Sequence, residues 1–357
     1  MIPEQKDIQI EHNGQISIAT GRSRRETNWK NQEITWRDFL QNLSTTTRTR
    51  ETFTQYRSMT KDQRSAIKDV GGFVGGVLKG GRRKAGQIAW RSLLTLDADY
   101  APDDFIERVN LLFGNAAVIY STHSHSQERP RLRLVVPLAR QVTADEYKAI
   151  SRFITAELGI DYFDDSTYEP ERLMYWPSTS ADGEFLFDYL DGPWLDPDNI
   201  LAHHPLWRDA STWPESSRAT KTREKHAEKQ GEPTEKPGAI GAFCRVYTIS
   251  AAIDEFLADV YEPCDMEDRY TYRAGTASAG LVVYEDKFSY SHHGTDPTGG
   301  LLCNAFDLVR IHRFGIQDED AKDDTPVNKL PSYQAMLEFT LKDSEVRIEL
   351  TKARAAE

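Results

Sequence analysis

Asp97 and Asp99 stand at the end of the apolar run SLLTLDAD, residues 92–99, with one residue between them. A strand repeats every two residues, so both carboxylates point to one face. Two like charges at that spacing repel, and a divalent cation is the simplest agent that neutralises both. A D-x-D at a strand end is also an ordinary turn sequence, so its neighbours must decide. The nearest are His123 and His125 in YSTHSHS, followed by Arg131 and Arg133 in RLRLVVPL. If the flanking apolar runs form a hairpin, two imidazoles and two guanidiniums converge. Guanidinium forks and shorter imidazole donors suit a triphosphate. The alternation of Arg131 and Arg133 with Leu132 and Leu134 equally fits the solvent face of an amphipathic strand. A third set, Asp161, Asp164 and Asp165, precedes Arg172 in GIDYFDDSTYEPERLMYWPS. One of these added to the first pair would give three carboxylates for Mg²⁺ or Mn²⁺, as phosphoryl and nucleotidyl transfer require. The bland alternative is an acidic turn capping a strand.

The elements that must position these groups follow from periodicity. Residues 92–99, 116–122 and 131–138 read as strands, with a hairpin between the last two. Thr143 and Glu146 form a capping box, and Tyr147, Ile150, Phe153, Ile154 and Leu158 follow at helical spacing up to Gly159. A strand pair at 172–178 and 183–190 completes an α+β domain. Residues 1–70 read as a helical N-terminal extension and 71–208 as the catalytic core, entered through a flexible basic loop at 71–84 that carries Lys79, Arg82, Arg83 and Lys84. That loop lacks GxxxxGK[ST], so no ATPase site is assigned. Residues 209–238 are rich in charge, Pro, Ser and Thr and read as a linker. A small α+β unit at 239–330 and an exposed C-terminal helix at 331–357 follow.

Length and composition bound the rest. At 357 residues the chain suggests two units, possibly three. With 39% hydrophobic and 28% charged residues and no run near the roughly 20 apolar residues of a membrane span, the expectation is a soluble protein without a membrane partner. The polar start and three widely spaced cysteines, Cys244, Cys264 and Cys303, point to the cytoplasm rather than to secretion. The net charge of −12 divides into +7 over the first 90 residues and −19 over the remainder. A basic front of that kind can track a phosphate backbone or simply be solvated.

Taken in order, LDAD at 96–99, STH at 121–123, and FDD at 163–165 leading into RLMYWPS at 172–178 resemble the catalytic core of archaeo-eukaryotic primases and primase-polymerases. VGGFVGG, THSHS with PRLRLVVPL, and EPERLMYWPS resemble more closely the primase-polymerase region of phage and mobile-element replication proteins of the virulence-associated protein E type. The resemblance covers about residues 15–315. It implies an RRM-like mixed sheet with flanking helices and a polymerase site between two α/β layers. Asp97, Asp99 and Asp164 would be the metal ligands, with Asp165 and Asp161 as fallbacks. His123 would contact the incoming nucleotide's phosphates, with His125, Arg131 and Arg133 as alternatives and Arg172 nearby. The basic loop, Lys79 to Lys84, would hold template or triphosphate. The implied partners are single-stranded DNA, NTP or dNTP, and a helicase, whose P-loop the sequence lacks, so that the helicase is either a missing domain or a separate protein.

Two other readings compete. His-Ser-His at 123–125 and the downstream Tyr147 suggest a rolling-circle initiator or relaxase, although Ser124 lies in a polar loop and Tyr147 on a buried-type helix face. A non-catalytic DNA-binding or helicase-loading module would keep the fold without the reaction. In the small unit the cysteines and histidines form no C-x₂₋₄-C pair, so zinc is not expected. Tyr270, Tyr272, Tyr284 and Tyr290 could stack on bases or pack locally.

Overall fold

Strand alternation organises the first part of the computed structural model, which describes residues 8–321 and 325–356. The described residues up to Pro205, with Pro214–Ser216, form one compact unit; Leu206–Trp213 and the residues from Ser217 form a second. In the first unit, β5 (Gly76–Leu78), β6 (Ile88–Ala98), β7 (Ala117–Ser121), β8 (Leu132–Val142) and β11 (Phe187–Leu190) make an antiparallel sheet of order β11-β7-β8-β6-β5. The expected hairpin is its centre, with Val118 opposite Val135 and Tyr120 opposite Arg133. A second sheet, of order β2-β1-β4-β9, contains β1 (Gln15–Gly21), β2 (Lys30–Thr35), β4 (Gly72–Val74) and β9 (Met174–Tyr175). Ile16, Ile18, Phe73 and Met174 of this sheet share one core with Leu93, Val118, Tyr120 and Val135 of the other, completed by Trp36, Phe39 and Leu40 of α1 (Trp36–Leu43). Each such large side chain contributes about 1.5–3 kcal/mol on burial.

The helix α5 (Ala144–Leu158) starts at the Thr143–Glu146 capping box and stops at Gly159, whose φ of 107° suits glycine. It packs on β6, with Tyr147, Ile150 and Ile154 buried and the Tyr147 hydroxyl donating to the Thr95 carbonyl. The short helices α2 (Phe53–Ser58) and α3 (Lys61–Ile67) each open on a Thr–Gln capping box, and α4 (Phe105–Leu112) and α6 (Pro197–His203) complete the helices of this unit. Two-residue strands β3 (Thr47–Arg48) and β10 (Ser178–Thr179) pair in parallel.

Several expectations need correction. The segment expected as a helical extension supplies β1 and β2 as well as helices, because Ile16 and Ile18 alternate into the core while β2, at the sheet edge, is too polar to announce itself. Residues 1–7 of that segment lie outside the described residues. The expected flexible loop at 71–84 holds β4 and β5. Its glycines serve close strand approach: a Cβ on Gly75 would lie 2.7 Å from Leu93 Cβ, and one on Gly76 2.2 Å from the Trp90 carbonyl oxygen. The strand pair at 172–178 and 183–190 does not form; β9 pairs with β4, β10 with β3 and β11 with β7. The expected linker contains α7 (Ala219–Gln230), because a Lys-, Glu-, Ala- and Gln-rich stretch has good helix propensity despite its polarity.

The second unit continues with α8 (Gly238–Val246), α9 (Ile249–Phe256) and an antiparallel sheet of β12 (Tyr261–Pro263), β13 (Arg269–Tyr272), β14 (Leu281–Tyr284), β15 (Phe288–Ser291) and β16 (Leu302–Cys303) in sequential order. Three helices close it: α10 (Ala305–Phe314), α11 (Pro331–Lys342) and α12 (Ser344–Ala356). The tail expected to be one exposed helix is thus two helices, and Met336, Val346 and Leu350 enter the core; Glu357 lies outside the described residues. Tyr270 and Tyr272 pack partly buried against that core, which includes the buried Cys244 and Cys303. Among the described residues no helix is long and apolar enough to cross a membrane.

A polar network ties β12 to the loop after β15 and to α10. Asp296 is fully buried; the Tyr261 hydroxyl donates to its Oδ2 at 2.7 Å, and Thr298 donates backbone N–H and hydroxyl to its Oδ1, both at 2.7 Å. His312 Nε2 lies 3.4 Å from Asp296 Oδ1 and 2.7 Å from the Tyr261 hydroxyl. Burial works to raise the Asp296 pKa, but hydrogen bonding and charge from His312, helped by Ser291 and Tyr261, pull it well below the usual carboxylate range. That stabilisation is present above the ordinary aspartate pKa and is lost as pH falls through the depressed one. Asp296→Ala leaves Tyr261 and His312 buried without their partner, with an expected loss of about 3–5 kcal/mol read by chemical denaturation. A loss below about 1 kcal/mol would show the network to be unimportant to the fold.

Candidate active site

The register of β6 and β8 sets Asp97 directly opposite Arg133. Arg133 Nε lies 3.6 Å from Asp97 Oδ1, and one step beyond the strand end Arg131 Nη1 lies 2.8 Å from Asp99 Oδ1. The third carboxylate is brought in by the backbone. Asp164 N–H donates to the Asp97 carbonyl at 2.9 Å, and Asp97 N–H donates to Thr167 Oγ1 at 2.9 Å. Thr167 in turn donates to the Thr95 carbonyl, so the segment after α5 is laid along the end of β6. Asp97, Asp99 and Asp164 consequently line one cavity of about 610 Å³, with His123, Arg131, Arg133 and Arg172 in the same wall.

The charges in this cavity are unbalanced in a directed way. Burial, followed by the charges of Asp97 and Asp164, raises the Asp99 pKa in spite of Arg131. Burial, with Arg133 and Arg172, lowers that of Lys68. Asp97 Oδ1, Arg133 Nε and Arg172 Nε are buried without a hydrogen-bond partner among the described residues. Orphaned buried polar atoms of both signs are costly, and a ligand carrying both cation and anion would satisfy them. Among the described residues no group of three His, Cys, Asp or Glu side chains is drawn together as a ready metal site. The reason is visible: Asp97 and Asp99 face arginines, and Asp164 Oδ1 accepts from the backbone N–H and hydroxyl of Ser166. The donor set still fits a hard divalent cation: three carboxylates share one cavity, one with an orphaned oxygen and one with a raised pKa.

The other expected residues divide. Arg172 lines the cavity, whereas Asp165 accepts a hydrogen bond from Ser216 and, like Asp161, is not in the wall. His123 is in the wall but tied back: Nε2 is 3.1 Å from Glu51 Oε1 and Nδ1 is 2.9 Å from Ser178 Oγ. Burial lowers its pKa although Glu51 opposes this. His125 is outside the wall, and its Nδ1 accepts from Arg131 N–H, so the structure does not bring it together with the other expected nucleotide-binding residues. Of the basic loop, Arg83 alone lines the cavity; Arg82 donates to the Thr27 carbonyl, and Lys79, near the Gly86 carbonyl, and Lys84 lie elsewhere. Tyr147, the tyrosine of the relaxase reading, is fully buried, its hydroxyl 3.1 Å from the carbonyls of Thr95 and Thr167. It is a scaffold residue with no access to DNA.

Glu51, Lys61, Lys68, Arg24 and Ser178 belong to the site without being anticipated by sequence. A signal exists for the helices around two of them, since TFTQ and TKDQ carry the T-x-x-Q capping pattern that marks α2 and α3.

Residues 2–216 match the VapE N-terminal domain family. Among solved structures, the AEP domain of the Cyanophage S-2L primase-polymerase is similar at a TM-score of 0.31 and 13% identity, over 52% of this chain and 86% of that one. No curated protein matches the chain.

A raised carboxyl pKa means that ionisation costs folded-state stability as pH rises through it. At neutral pH Asp99→Asn is therefore expected to raise the melting temperature of the metal-free protein, read by thermal denaturation. Millimolar MnCl₂ should stabilise the wild type and leave Asp97→Asn/Asp99→Asn unmoved. Equal stabilisation of both proteins would place the ion elsewhere.

Proposed function

The chain belongs to the VapE N-terminal domain family, and from that premise we propose that its first unit is the nucleotidyl-transfer domain of a DNA primase or primase-polymerase. One observation carries the reading: Asp97 and Asp99 from a strand end and Asp164 from a distant turn line the same cavity as Arg131, Arg133 and Arg172. Acids to hold a divalent cation and guanidiniums to hold a polyphosphate are the two halves of a nucleotidyl-transfer site.

Asp97, Asp99 and Asp164 are the residues that would hold Mg²⁺ or Mn²⁺. When bound, such an ion neutralises the carboxylates, favours ionisation of the attacking hydroxyl and stabilises the leaving pyrophosphate. The chain's own contribution is orientation. Arg131 and Arg133, which face Asp99 and Asp97 in the protein alone, exchange carboxylate for phosphate oxygens when the nucleotide enters, and Arg172 offers its unpartnered Nε to the same anion. His123, with both ring nitrogens engaged by Glu51 and Ser178, fixes the wall behind the phosphates. Single-stranded DNA is the template and a nucleoside triphosphate the substrate on this reading, with a helicase as the partner that exposes the template.

The test is incubation of the full chain with single-stranded DNA, Mn²⁺ or Mg²⁺ and each labelled nucleotide pool. Template-dependent incorporation is expected, falling by about 10³-fold or more in Asp97→Ala/Asp99→Ala. Incorporation by that variant at the wild-type rate would remove the site from the chemistry, and strand binding with no synthesis by the wild type would leave a non-catalytic module.

A further inference from the structure

A second cavity, of about 510 Å³, shares Lys61, Ser65, Lys68, Ser124 and Arg131 with the first and extends away from it between α2, α3 and the loop joining β7 to β8. We propose that this groove holds the sugar-phosphate backbone of single-stranded DNA as it enters the site. The inference rests on the nucleotidyl-transfer reading for its biological sense, and its separate evidence comes from Phe53, Arg57, Arg64 and Arg129, which line only this groove.

The groove is built. Each of its helices is started by a threonine that accepts from the backbone N–H of a glutamine whose side chain accepts in return. Tyr56 of α2, only 2% exposed, holds the helix pair to the loop: its hydroxyl is 3.2 Å from Ser124 Oγ and its ring 4.4 Å from that of His123. The same loop is drawn into a tight turn by mutual backbone hydrogen bonds of Ser126 and Arg129.

Its chemistry is that of a strand site. Lys61, Arg64 and Lys68 recur at helical spacing along one side of α3 and all line the groove, as do Arg57 and Arg129. Glu128 is the sole carboxylate in the lining, and among the described residues Arg57, Lys61, Arg64 and Arg129 have no carboxylate ion-pair partner. The α3 row is about 10 Å long at 1.5 Å per residue. A triphosphate calls for cations that converge, as they do around the first cavity; a row along α3, whose ends Lys61 and Lys68 also line that cavity, continued by Arg57 and Arg129 of the groove alone, fits successive phosphodiesters. Phe53, half-buried and with the Arg57 guanidinium 5.9 Å from its ring centre, offers a platform on which a base can stack. The basic loop at Lys79 to Lys84, to which the family resemblance first directed the template, is largely turned to other partners.

The test uses the full chain, a fluorescein-labelled oligothymidylate and labelled dTTP, with binding read by anisotropy between about 50 and 200 mM salt. Arg57→Ala/Arg64→Ala/Arg129→Ala alters three residues that line only this groove. The expected result is at least a tenfold loss of strand affinity and a salt slope shallower by about 2, at roughly 0.7 for each phosphate no longer neutralised, with dTTP affinity within twofold of wild type. Phe53→Ala should weaken the strand about fivefold or more without changing the salt slope. Unchanged strand affinity and slope in the triple variant would overturn the proposal, and so would a parallel loss of dTTP affinity, which would mark a second mononucleotide subsite. If the wild type binds the strand through these residues yet incorporates nothing, the polymerase reading fails and the strand site stands.

Discussion

Two acids at the end of one buried strand face two arginines on the next, and the rest of the first unit is arranged around that opposition. The register that pairs Asp97 with Arg133 runs from Leu93 opposite Pro137 to Ala98 opposite Leu132, between strands buried on both faces, and a one-residue slip would carry Asp97 and Arg133 to opposite faces of the sheet. Buried ion pairs rarely make a fold more stable than apolar residues of similar size would. The stability must come from the shared core of the two sheets and from α5. What the charges supply is a set of groups that can trade partners: the carboxylates are held by arginines that a phosphate can claim, and the arginines by carboxylates that a cation can claim.

The two units give a contrast between two kinds of buried charge. Around Asp296 every visible acceptor is met from within, by Tyr261, Thr298 and His312. Around Asp97 the network is looser: Asp97 Oδ1 and Arg133 Nε face each other at 3.6 Å, too far for a hydrogen bond, and Arg172 Nε is buried with no hydrogen-bond partner among the described residues, at the wall of a cavity. A closed network rigidifies and a looser one waits for a ligand.

Much of the first unit's layout is legible in the sequence because its signals are local. The apolar runs of β6, β7 and β8, the capping box of α5 and the glycine that ends it are properties of a few adjacent residues, and they place Asp97, Asp99, Arg131 and Arg133 without further information. What is not legible depends on distant backbone pairing. Nothing local says that Asp164 N–H will bond the Asp97 carbonyl, or that β9, β10 and β11 will join three different partners instead of each other. The strands β1 and β2 escape notice for the same reason, β2 being a polar edge. The glycines at 71–81 suggest flexibility when taken alone, whereas the packing uses two of them to let strands approach.

The same distance effect explains why the sequence shows His123 but hides its partner Glu51. A histidine after a strand, beside two arginines, suggests a phosphate donor, but the imidazole is already committed between Glu51 and Ser178, with Thr49 donating to the same Glu51 oxygen. A neutral imidazole giving Nε2–H to Glu51 and accepting at Nδ1 from Ser178 satisfies every ring group, and burial keeps it neutral. Arg131, Arg133 and Arg172 stand in the same wall, and a guanidinium offers a planar fork of donors that an imidazole with both nitrogens engaged does not.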